Sequence, residues 1–137
     1  MPQLRLYSLF IGHSWTYGDA YEKLTGLLDE ISYFNWRDYS VPKDSPIHDA
    51  PTTTMLEFAI REQMRHASCV LIMAGKYSTF SKWINREIRI AQELSKPILA
   101  IAPWGAKQIS TIVRDSADEI VKWNSASIVD AIRRNAL

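Results

Sequence analysis

The chain has 137 residues, 47% of them apolar and 23% charged, with a net charge of +1. That length is enough for one compact domain with a real core, and that composition is ordinary for a globular chain. The near-neutral balance and scattered basic residues give no electrostatic case for nucleic acid or a membrane surface as a partner.

The elements follow one another in a regular alternation. "LRLYSLFIG" (4–12) reads as a first strand running into a Gly-His-Ser loop. "DAYEKLTGLLDEIS" (19–32) places Ala20, Leu24, Leu27, Leu28 and Ile31 on one helical face, with Gly26 a weak point. "YFNWRDYS" (33–40) is a short aromatic strand, followed by the proline-rich loop "VPKDSPIHDAP". "TTTMLEFAIREQMRHA" (52–67) is a helix with threonines available to cap it. Leu56, Ala59, Ile60, Gln63 and Met64 share one of its faces.

"SCVLIMAG" (68–75) and "KPILAIAPWG" (96–105) are nearly continuous apolar runs, the mark of strands buried on both faces. Between them "SKWINREIRIAQEL" (81–94) is an amphipathic helix. A last short strand, "DEIVKWN" (118–124), precedes a terminal helix over 127–134. No helix is assigned between 106 and 117. Cys69, Met55, Met64 and Met73 are read as core residues. A single cysteine, no apolar run of the roughly 18 residues a span needs, and a start without a basic leader point to a cytoplasmic chain.

This alternation predicts an α/β fold spanning 1–137 as a single domain: a three-layer, flavodoxin-like sandwich around a five-stranded parallel sheet of order 2-1-3-4-5. Ligands of such sheets bind beyond the carboxyl ends of the strands, where strands 1 and 3 diverge. The loops 12–19, 38–45 and 75–81 meet that requirement. A receiver-domain reading fails for want of acidic residues after strands 1 and 3, and no dinucleotide fingerprint, P-loop or nucleophile elbow is present. His13, His48, His66 and Cys69 have no metal-ligand spacing.

One residue breaks the pattern of the 81–94 helix. At about 100° per residue, Trp83, Ile84, Ile88, Ile90, Ala91 and Leu94 form one arc, and Glu87 falls near its middle. From the residues alone Glu87 is either a structural ion-pair partner, with Arg86, Arg89 or another element, or a carboxylate turned into a cleft.

"FIGHS", "DYSVP", "VLIMAG" and the W-x-x-x-E of "WINRE" together resemble the Toll/interleukin-receptor (TIR)-like family over about residues 4–104. The likeness is nearest to the small bacterial TIR-like proteins of Thoeris-type anti-phage systems. It implies cleavage of the nicotinamide–ribose bond of NAD⁺, by hydrolysis or cyclisation to an ADP-ribose signal, with NAD⁺ as substrate, no cofactor and no metal. It also implies self-association and a separate effector that responds to a nucleotide signal. Glu87 matches the essential carboxylate of catalytic TIR domains.

Under that likeness Phe10, Trp15 and Trp83 are candidates to stack on a flat ring. His13 and Ser14 are candidates to bond ribose or phosphate. Gly75 and Ser78 lie where backbone N–H groups would face phosphate, and Asp38 and Tyr39, with Arg37, where the loop after strand 2 would gate the site. Two other readings stay open: a non-enzymatic TIR-like interaction module, and a nucleoside deoxyribosyltransferase-like enzyme, which shares the fold and also uses a Glu on N-glycosides.

Overall fold

The computed structural model describes residues 6–12, 20–39, 53–73, 82–102 and 111–137. Among the described residues five strands and five helices alternate: β1 (Leu6–Gly12), α1 (Ala20–Asp29), β2 (Asn35–Asp38), α2 (Thr53–Met64), β3 (Cys69–Met73), α3 (Lys82–Glu93), β4 (Ile98–Ala102), α4 (Thr111–Ser116), β5 (Glu119–Lys122) and α5 (Ser125–Asn135). The strands form one parallel sheet of order β2-β1-β3-β4-β5. The flavodoxin-like order expected from the alternation is the one observed.

Strand alternation divides the core into two layers. On one face Phe10, Val70, Ile72, Ile98 and Ala100 pack against Ile60 and Met64 of α2, Ile88, Ile90 and Ala91 of α3, and Val113 of α4. On the other, Leu9, Ile11, Cys69, Leu71, Leu99 and Ile101 pack against Leu24 and Leu28 of α1 and Ile128, Val129 and Ile132 of α5. The central strands β1, β3 and β4 are therefore buried on both sides, which is why their sequences read as unbroken apolar runs. The edge strands are only four residues long and half exposed.

Element ends have local causes. Asn124 caps α5, its side-chain oxygen accepting from Ser127 N at 3.0 Å. α3 closes with Lys96 N donating to Ala91 O at 2.9 Å while Ser95 takes the left-handed φ of 55°, a role usually given to glycine. Asp118 pins the starts of β4 and β5 together, accepting from Ile98 N and donating its own N–H to Ile98 O, both at 2.7 Å.

Three expectations are corrected. Tyr33 and Phe34 precede β2 rather than belong to it: Tyr33 has φ of 62°, in a turn, and Phe34 stacks on Tyr7 at 5.2 Å and lies under Arg133. Met55 is not a core residue, being 54% exposed. It lies nine residues, half a rotation, from buried Met64 and shares its outward face with Phe58, 64% exposed. Finally, α4 (Thr111–Ser116) lies within the interval 106–117, where no helix is expected from the sequence. Cys69 and Met64 are wholly buried as expected, and the Met73 side chain lies outside the described residues.

Candidate functional site

The site begins at the carboxyl end of β1. Gly12 is the last residue of that strand and pairs with Ile72 of β3. The chain leaves β1 for β2 on one side of the sheet order and returns from β2 to β3 on the other, so the β1–β3 boundary is the topological switch point. α3 runs back over this boundary and lays its apolar face on β1, β3 and β4.

That face delivers Glu87. It is 2% exposed, and among the described residues it is the one buried charged side chain. Its neighbours in the helix, Ile88, Ile90 and Ala91, are buried with it. The carboxylate lies over Gly12. A methyl group added there would collide with Glu87 Oε2, stand 3.4 Å from its Cδ, and press on Ile72 Cδ1 at 2.6 Å. Glu87 therefore presents a buried carboxylate at the carboxyl end of β1 beside β3. In that low-dielectric setting a carboxylate interacts more strongly with a nearby positive charge than it would in water.

The opposite face of α3 is occupied by ion pairs. Arg89 pairs with Glu57 of α2 and lies 4.0 Å from Glu93, while Arg61 of α2 pairs with Glu93. Arg89 is thus committed on the α2 side of the helix, away from the arc that holds Glu87.

The other candidate residues divide into three groups. Phe10 is wholly buried among Ile60, Met64, Val70 and Ile72, so its ring has no free face for a ligand and the stacking role is corrected to a core role. Asp38 and Tyr39 are not brought to Glu87. Asp38 pairs with Leu9 and, two residues after Trp36, points to the α1/α5 layer, the opposite face of the sheet. Tyr39 N donates to Leu9 O at 2.8 Å, which sets Tyr39 beside Phe10, about 7 Å short of Gly12 along the strand direction. Its ring stacks on His66 at 5.5 Å, and Arg37 Nη1 donates to its hydroxyl at 3.4 Å. His13, Ser14, Trp15, Gly75 and Ser78 lie outside the described residues. Trp83 is placed one turn before Glu87 on α3, but its side chain is likewise outside them.

Gly12 is the residue that sequence reasoning missed. The available signal was a glycine closing a strand whose preceding residues, Leu9, Phe10 and Ile11, are all large and apolar. Among the described residues no group of three or more His, Cys, Asp or Glu could hold a metal ion. No described helix is long and apolar enough to cross a membrane.

A 2-1-3-4-5 parallel sheet with helices packed on both faces defines a flavodoxin-like α/β domain. The family model for the Thoeris protein ThsB, TIR-like domain, matches residues 10–108, and the chain belongs to that family, one of anti-phage defence. Solved structures agree on the fold. A conserved protein from Enterococcus faecalis V583 aligns with a TM-score of 0.63 at 8% identity, over 95% of this chain and 99% of that one. A prokaryotic SEFIR domain aligns with a TM-score of 0.50 at 12% identity, over 93% and 94%. No curated protein matches the chain.

Proposed function

We propose that this chain acts as a single TIR-like domain that cleaves the N-glycosidic bond of NAD⁺, with Glu87 as the catalytic carboxylate. The observation that carries the reading is a glutamate 2% exposed whose carboxylate lies over Gly12, where a sheet of this order binds its ligands.

The chemistry suits one carboxylate. The bond from ribose C1′ to the pyridinium nitrogen breaks with its electron pair going to nitrogen, so nicotinamide leaves neutral and needs no general acid. The ribose is left with oxocarbenium character, and a buried carboxylate stabilises that developing positive charge. Water completes the hydrolysis, giving ADP-ribose and a proton; capture by a nucleophile within the ADP-ribose gives a cyclic product instead. Within an anti-phage family, such a product serves as a signal to a separate effector protein in the cytoplasm.

Self-association is a second reading, as an interaction module or as a step that completes the catalytic site. The outward face of α2 favours it, exposing Met55 and Phe58 together.

The test is nicotinamide release from NAD⁺ by wild type and Glu87→Gln, each at low and high protein concentration. Release by wild type that is lost in the variant supports the enzyme, and a rise in specific activity with concentration supports assembly. No release from either at any concentration overturns the enzymatic reading in favour of the module. Base exchange on deoxynucleosides with no attack on NAD⁺ replaces it with a transferase.

A further inference from the structure

We infer that Gly12 is a positioning residue: the side chain it lacks leaves the seat in which the Glu87 carboxylate rests. In its catalytic consequence this rests on the function proposed above; in its structural content it stands alone.

A glycine at this point of a buried strand needs a reason. It gives up packing and loses more backbone entropy on folding than any other residue. Leu9, Phe10 and Ile11 before it are buried, as is Ile72 across from it. Conformation does not supply the reason, because the backbone of Gly12 lies outside the left-handed region. Space does. The position a Cβ would take is claimed from above by Glu87 Oε2 and from the side by Ile72 Cδ1. Gly26 in α1 is the internal contrast: nothing lies within 4 Å of its Cβ position.

Both atoms that crowd Gly12 are the far ends of flexible side chains rather than backbone. An added methyl is therefore accommodated by pushing the carboxylate and the Ile72 terminus aside, with the strand left in place. Gly12→Ala then yields a folded protein whose Glu87 is intact but displaced. A displacement on the order of 1 Å at a reacting centre costs about 10²-fold in rate. The loss falls on kcat, with KM little changed, because the carboxylate acts on charge that develops only in the transition state.

The test pairs kinetics with a stability cycle. Gly12→Ala is expected to keep the wild-type circular dichroism and to lose about 10²-fold in kcat on NAD⁺. Made in the Glu87→Asp background, where the carboxylate is withdrawn by one methylene, the same change is expected to lower kcat far less. Gly26→Ala is expected to leave turnover unchanged. A Gly12→Ala variant with wild-type kcat, or an equal loss in both backgrounds, overturns the proposal. The stability arm needs no activity. Gly12→Ala is expected to lower Tm in the wild-type background and clearly less in the Glu87→Ala background, where the seat is empty. Equal shifts in both show that the carboxylate does not occupy it and overturn the inference. A wild type inactive on NAD⁺ counts against the proposed function, while the Tm cycle still decides whether Gly12 seats Glu87.

Discussion

Arg89 of α3 pairs with Glu57 of α2, and one turn further along Glu93 of α3 pairs with Arg61 of α2. With Arg89 also 4.0 Å from Glu93, the four residues alternate in sign along the seam between the two helices. The helix that carries Glu87 is thereby held in register with its neighbour on the side away from the sheet.

These groups are partly exposed, so each pair contributes only modestly. A double-mutant cycle on Glu57→Gln and Arg89→Gln is expected to give a coupling of about 0.3–1 kcal/mol. The coupling is expected to shrink in 1 M salt, where the screening length falls to about 3 Å. Urea denaturation at two ionic strengths measures it.

Ser95 ends α3 in the left-handed region with φ of 55°, which costs an ordinary residue about 1 kcal/mol and glycine almost nothing. Ser95→Gly keeps the Lys96 N–H to Ala91 carbonyl bond of the cap. It is expected to raise stability by up to about 1 kcal/mol, offset in part by the greater freedom of glycine in the unfolded chain. A higher urea midpoint with an unchanged slope would establish this.

Cys69 is wholly buried in β3, and burial pushes its thiol up from 9.0 to about 12, with the negative charge of Asp118 adding in the same direction. The folded state thus keeps a proton that the unfolded thiol releases near pH 9. Its contribution to stability is complete below pH 9 and is lost as pH rises toward 12. At pH 8 the native thiol is expected to resist iodoacetamide and to react once the chain is unfolded. The alkaline decline in stability between pH 9 and pH 11 is expected to be shallower in Cys69→Ala, as equilibrium unfolding across that range will show.

Much of this arrangement is legible from residue order. β3 and β4 announce themselves because a strand buried on both faces has no polar positions to interrupt it, and α3 because its two faces differ so sharply in polarity. Glu87 stood out for the same reason, as the residue that violates its own helix. α4 was invisible because six residues are too few to show a helical period. The aromatic pair Tyr33–Phe34 reads locally as strand, yet the turn out of α1 needs a left-handed residue and takes Tyr33 for it. Asp38 and Tyr39 come at the end of the second strand, where a ligand crevice is expected, but β2 pairs with Leu6–Leu9, so its end stops short of the end of β1. Phe10 and Gly12 lie two residues apart on one strand face and have opposite fates, one filling the core and one making room in it. That distinction depends on what α2 and α3 bring down onto the sheet, which no local pattern records.

The central claim is that Glu87 is a catalytic carboxylate, and the most direct measurement is kcat for nicotinamide release by Glu87→Gln against wild type, at matched stability. Glutamine keeps the shape and removes the charge, so the urea midpoint is expected to hold or rise slightly as a desolvated charge is lost. A fall in kcat of about 10²–10³-fold with the fold unchanged is the result this account predicts. Undiminished turnover in the variant, or a large loss of stability that shows Glu87 to be a structural ion-pair partner, would contradict it.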